Sequence, residues 1–326
     1  MSSTKNSSLV FWTVPLAMVL VMSTTAAGAE MMFKYKSPSV VKINTASQQE
    51  TAPEPVEVDP ACDDPANVDS VGNAPGCQGM LIVGDEALRS AASKRANPDG
   101  GYQNDETAHG NFEIAHTSGT YTFADSDKNI FTGQVVDMSY LFRETNFNGD
   151  IGYWDVSSVT DMASMFYRNS SFNQDIGSWD VSNVTQMNHM FRSTPFDRDI
   201  GGWDISNVNN TRFMFYETPF NQDIGAWDVS SVTRMDYMFY KTPFDRDIGA
   251  WDTSSVKYMY DMFKDASHFN QDIGTWDTSN VRSMNRMFKN ASLFNQDISG
   301  WNVSNVDYYY MFSYGSSLKN SNMPNF

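Results

Sequence analysis

The chain has 326 residues and a formal net charge of −17 at pH 7. That is enough for two ordinary domains or one repeat array with an extension. No cluster of Lys and Arg interrupts the acidity, so a phosphate backbone is repelled and nucleic acid is excluded as a partner, whereas cations or basic surfaces are attracted.

Residues 1–29 read as a secretory signal. Lys5 supplies the positive start, Leu9 to Met22 is apolar, and Ala27-Gly28-Ala29 is a small-residue cleavage site before Glu30. No charge falls between Lys5 and Glu30, so a single-pass N-terminal membrane anchor is the alternative. Either reading puts the rest of the chain outside the cytoplasm, secreted or on the cell surface. Residues 30–79 are an acidic, Pro-rich linker that buries little. It holds the two cysteines, Cys62 and Cys77. In an oxidising compartment these are expected to close one short disulfide loop. A metal or redox pair would want a CxxC or a nearby His, and neither is present.

Residues 80–134 form the expected N-terminal cap region. "MLIV" reads as a short strand, Asp85 as the cap of a helix through Lys94, and 111–123 as one or two strands. A cap belongs there because the first unit of a stacked array exposes an apolar end.

From 135 to 312 the chain repeats itself. Trp154, Trp179, Trp203, Trp227, Trp251, Trp276 and Trp301 recur every 24 or 25 residues. A fixed short period means one structural unit stacked on its copies. One such unit is Phe172 to Phe191, FNQDIGSWDVSNVTQMNHMF. Ile176, Trp179 and Val181 suggest a short strand, with Gly177 marking a tight turn. Val184, Met187, Met190 and Phe191 fall at the spacing of one face of a short helix, with Ser182 or Asn183 as N-cap.

Strand, turn, helix and return loop within this period imply an α/β solenoid. The expected form is a leucine-rich-repeat-like right-handed superhelix with a parallel sheet and short helices. A propeller blade needs about 40–45 residues, which these units lack. The 24-residue units carry Pro195, Pro219 or Pro243 in the return loop, where a longer unit has one extra residue. The last unit, "VDYYYMF", is a residue short, and Asn302 replaces its strand Asp. Residues 313–326 read as a polar C-terminal tail.

Two acidic columns accompany the repeat. Asp155, Asp180, Asp204, Asp228, Asp252 and Asp277 follow the tryptophans, and a second set runs from Asp150 to Asp297. Neighbours about 4.8 Å apart in a column repel by about 3–4 kcal/mol at an effective dielectric of 20. Either Ca²⁺ bridges them, or each accepts local backbone and hydroxyl hydrogen bonds without an ion. No other cofactor is implied. The methionine stripe and the tryptophan column read as core, and each indole N–H is expected to meet a carbonyl of the adjacent repeat. The four histidines share no register, and no catalytic motif stands out. Asn169 and Asn290 are the glycosylation candidates, since they fall in return loops; Asn183, Asn209 and Asn302 are further acceptor sequences.

The units FNQDIGSWDVSNVTQMNHMF, FNQDIGAWDVSSVTRMDYMF and FNQDIGTWDTSNVRSMNRMF resemble those of the BspA-like leucine-rich repeat surface proteins. The resemblance spans about 135 to 312. It implies a secreted or surface-displayed protein and, from the best-described bacterial members, adhesion by binding matrix proteins. The expectation is a macromolecular binding or adhesion module without catalysis. Its concave aspartate ladder would meet an extracellular protein or polymer, with a basic partner suiting the charge. A structural cell-wall or Ca²⁺-binding protein is the alternative, and a secreted enzyme with a site in the cap is a third.

Overall fold

The computed structural model describes residues 130–326 without a break. Ahead of them it describes 62, 64–70, 72, 77–78, 80–92, 94–96, 102–104 and 112–123. All belong to the unit Pro53–Phe326. The signal segment, most of the linker and His109 lie outside the described residues. Among the described residues no helix is long and apolar enough to cross a membrane.

The repeats stack in register. Seven parallel bridges join Asp137, Asp161, Gln186, Asn210, Arg234, Tyr258, Ser283 and Tyr308, each to its equivalent in the next unit. Around each bridge runs a ladder. In one unit the N–H groups of Met187, His189, Phe191 and Ser193 donate to the carbonyls of Asn210, Arg212, Met214 and Tyr216, at 2.8–3.2 Å. Thr185 donates back to Thr160 at 2.9 Å. Alternate residues therefore bond across the gap, as in a parallel sheet.

The short helices expected over this segment do not form. Residues 187–194 are tandem turns, closed by Met190 N–H to Met187 O, Arg192 to His189 and Thr194 to Phe191. His189 and Ser193 have φ of 60° and 56°, and every unit repeats this pair of left-handed residues. A left-handed residue every fourth position breaks an α-helix and turns alternate N–H groups toward the next unit. The expected strand is displaced as well. Trp179 and Val184 each close a turn, onto Ile176 and Val181, and the ladder runs instead through the residues read as helical.

The core is continuous along the array. Phe166, Phe191, Phe215, Phe239, Phe263 and Phe288 stack unit on unit at 5.5–6.0 Å. A second phenylalanine of each unit lies flat against the first, as Phe196 does on Phe191 at 3.9 Å. The methionine pairs and the tryptophans fill the rest, with the tryptophans 3–4 % exposed. From Trp179 onward each indole Nε1–H donates to the isoleucine carbonyl one unit back, Trp203 to Ile176 and Trp227 to Ile200, both at 3.1 Å. Gly177 has a packing reason: a Cβ there would stand 2.7 Å from the Asp199 carbonyl of the next unit.

The cap supplies what a preceding unit would. Its helix α1 (Asp85–Ala91) follows strand β1 (Leu81–Ile82), with Gly84 as N-cap. The helix stops short of Lys94, which opens strand β2 (Lys94–Ala96) paired with β3 (Tyr102–Asn104). Asp85 does not cap its own helix; its carboxylate accepts the N–H groups of Val136 and Asp137, at 2.9 and 3.3 Å. Arg89, buried on the same helix, donates to the carbonyls of Asp137 and Ser139 at 2.6 and 2.7 Å and pairs with the Asp137 carboxylate. Those two carbonyls are the acceptors that every later unit offers to the unit before it. The hairpin β4 (Glu113–His116) and β5 (Gly119–Thr122) leads to Phe123, whose carbonyl accepts the Trp154 indole at 3.2 Å. Strand β6 (Ile130–Phe131) returns parallel to β1. A small second core joins Ile82 and Phe131 to the Cys62–Cys77 disulfide, whose Cα atoms are 6.0 Å apart.

The stretch read as a polar tail is partly apolar in its contacts. Leu318 and Met323 join the core, and Phe326 stacks on Tyr309 at 4.4 Å.

Candidate binding faces

Each aspartate after a tryptophan sits in a turn, not on the ladder. Asp180, Asp204, Asp228, Asp252 and Asp277 are exposed and Asp155 is half-buried. In every case the carboxylate Oδ1 accepts the N–H of the serine two residues on, at 2.9–3.0 Å. The serine hydroxyl and this N–H hold Asp204, Asp252 and Asp277 below the usual carboxylate range. Asn302 makes the same bond to Ser304 at 3.1 Å. The turn therefore requires an acceptor and no charge.

The other acidic column is built likewise. Asp175, Asp199, Asp223, Asp247 and Asp272 each accept a glycine N–H two residues on at 2.9–3.0 Å. Asp199, Asp223 and Asp247, with Gly201, Gly225 and Ala250 among their neighbours, line a shallow groove of about 490 Å³. Among the described residues no three His, Cys, Asp or Glu side chains converge as a metal-ligand set.

A third polar column was not singled out from sequence. Asn148 accepts the Asn173 N–H, Asn173 the Asp197 N–H and Asp197 the Asn221 N–H, at 2.9–3.0 Å, and the series continues to Lys319 on Asn295. The signal is the Asn or Asp after the second phenylalanine of each stacked pair, as Asp197 follows Phe196, which reads as ordinary loop polarity.

Of the glycosylation candidates, Asn169 is ruled out by packing. It is fully buried, its Nδ2 donates to Phe147 O at 3.0 Å and Thr145 Oγ1 at 3.1 Å, and its Oδ1 accepts two N–H groups. Asn290 is exposed, as are Asn183 and Asn302.

The described histidines share no site. His116 accepts the Ser118 N–H at 3.1 Å, and His268 meets the Ser267 hydroxyl at 3.2 Å. His189 lies among Arg143, Arg192 and Arg212. Burial first, and then these three cations, push its pKa down to about 4. Two acids on the ladder face are fully buried: Asp236, bonded by Arg234 at 2.9 Å, and Asp261, bonded by Arg286 at 2.6 Å. Burial pushes the Asp236 carboxyl up while Arg234 holds it down.

Two segments, residues 115–219 and 212–326, match one family model, described as "Mycoplasma protein of unknown function, DUF285". Together they cover well over half of the chain. The chain belongs to the DUF285 family. No curated protein and no solved structure matches it. The matched range takes in every unit from Trp154 to Trp301 and most of the hairpin that precedes them, so the family's pattern is the repeat itself.

Proposed function

We propose that this protein is a BspA-like, secreted or surface-displayed repeat protein that binds a macromolecule and performs no chemistry. In this reading the units wind as a leucine-rich-type right-handed superhelix. An extracellular protein or polymer with basic groups meets the column Asp155, Asp180, Asp204, Asp228, Asp252 and Asp277. The observation that supports it is Asn302. Because an asparagine serves the turn as well, six carboxylates one unit apart exceed what the fold requires. Charge kept in register on a stacked array favours a partner of opposite sign, with association weakening as salt rises.

The test is capture of partners by residues 30–326, comparing the natural chain with Asp180→Asn/Asp204→Asn/Asp228→Asn. Asparagine preserves the turns, so folding is unchanged and partner capture should drop markedly. Equal capture by both proteins would remove the aspartate column as the binding face.

The groove along Asp199, Asp223 and Asp247 favours a second reading, a Ca²⁺-binding structural protein. A bound ion must raise the melting temperature by mass action. Melting that is identical in Ca²⁺ and in chelator would dispose of it.

A further inference from the structure

The ladder face carries basic side chains beside its acids. One position recurs in every unit, immediately after the ladder phenylalanine: Arg143, Tyr167, Arg192, Tyr216, Tyr240 and Lys264 in successive units, and then Lys289. These side chains form a column of cations and rings, alternating from Arg143 to Tyr216. Arg143 and Arg192 lie over the Tyr167 ring at 5.0 and 5.2 Å. Arg192 also lies over Tyr216 at 4.5 Å, Tyr216 stacks on Tyr240 at 4.5 Å, and Lys264 lies over Tyr240 at 4.8 Å. Beside them Arg212 covers Phe213 at 4.6 Å.

Some of this charge is compensated. Arg143 and Arg168 reach Glu144, Lys241 reaches Glu217, and Lys264 reaches Asp261. Arg192 and Arg212 pair with no carboxylate among the described residues. Arg192 meets His189 Nδ1 at 3.3 Å and Arg212 donates to the Tyr260 hydroxyl at 3.1 Å, and the Nε–H of each meets no acceptor. With its pKa at about 4, His189 adds no charge at neutral pH. In a chain of net charge −17, these two guanidinium groups are held by rings without a direct ion pair, the buried Asp236 carboxylate acting on Arg212 only at longer range. Such groups are pre-set to receive oxyanions.

We propose that this column binds a linear polysaccharide carrying sulfate or carboxylate groups, with Arg192 and Arg212 as the anchoring charges. Three features select that ligand. The contacting run from Arg143 to Lys264 extends over six units in a line, which suits an extended polymer. The backbone N–H groups of this face are spent on the ladder, so an acidic peptide cannot add to it as a strand. The ring faces are covered by cations or by one another, so the bases of a single-stranded nucleic acid have no platform to stack on. Charge contacts and hydroxyl hydrogen bonds remain, and a charged glycan presents both. This site is separate from the aspartate column and does not rest on the reading above.

The full chain is titrated calorimetrically with dextran sulfate and with alginate, against neutral dextran and poly-glutamate. Either anionic polysaccharide should bind, more weakly as salt rises, while neutral dextran should not; whichever binds tighter tells sulfate from carboxylate. Arg192→Gln/Arg212→Gln should weaken binding roughly tenfold or more, and Arg198→Gln/Arg246→Gln, which removes two exposed arginines away from the column, should weaken it far less. Arg192→Lys/Arg212→Lys keeps the charge and loses the fork, so its affinity should fall between wild type and the glutamine variant; it serves if the glutamine variant melts early. Absence of binding to both polysaccharides, equal affinity of all three arginine forms, or poly-glutamate binding as tightly would each overturn the assignment.

Discussion

His189 shows how a single side chain is shaped by its column. It stacks on Phe213 at 4.5 Å; burial first, and then three nearby arginines, hold its folded pKa at about 4, below the ordinary 6.5. Between those values the unfolded chain takes up a proton that the folded one refuses. The stability is therefore present above pH 6.5 and is lost as pH falls toward 4. His189→Phe keeps a ring on Phe213 and has nothing to protonate. The melting temperatures of the two proteins should differ by a constant above pH 6.5, and the wild type should lose ground to the variant on the way down to 4. Parallel curves through that window would show that His189 is not the responsible group. The residue scale was also the most legible in sequence. Buried tryptophans with an indole N–H on the neighbouring unit follow from period and polarity alone, and Trp203 on Ile176 is such a bond. What stayed hidden were residues whose partners are distant in sequence. Arg89 meets Asp137 and Ser139 about fifty positions away, and nothing in its own neighbourhood announces it.

At the scale of the element, a chain of turns imitates a helix. Met187 and Met190 lie on one face because an i to i+3 bond closes between them, and that is also the spacing of a helical stripe. Apolar periodicity cannot separate the two. The distinguishing mark is the left-handed residue at His189 and Ser193, and at their equivalents Phe213 and Glu217 or Tyr237 and Lys241. None of these is glycine, so composition gave no warning. Each left-handed side-chain-bearing residue costs about 1 kcal/mol. Ser193 is half-exposed at φ 56°, so Ser193→Gly removes that cost and should raise the melting temperature by a few degrees. Ser193→Val places a β-branched side chain where it is least tolerated and should lower it. If valine were neutral in thermal melts, the turn would not have the assigned geometry.

At the largest scale, the described array is a sum of near-identical interfaces between two unlike ends. One end is closed by Asp85, Arg89 and the Phe123 carbonyl, and the other by Leu318, Met323 and Phe326. Stability then adds roughly unit by unit. Deleting residues 221–244, one complete 24-residue unit, joins Phe220 to Asp245, and each ladder donor still meets an equivalent carbonyl. The shortened protein should fold and unfold cooperatively, with a lower urea m-value in proportion to the lost surface. Deleting about half a unit brings the turns of one unit opposite the ladder of another and should abolish folding; equal tolerance of both deletions in urea melts would refute the nearest-neighbour account. The tryptophan column gives the array an optical character as well. Trp251, Trp276 and Trp301 lie parallel at 6.2–6.3 Å, in equivalent apolar slots and each on the equivalent isoleucine carbonyl, Ile224, Ile248 and Ile273. Excitation of one indole passes readily to the next, so the intrinsic fluorescence belongs to the row, and a quencher bound at a single unit darkens its neighbours too.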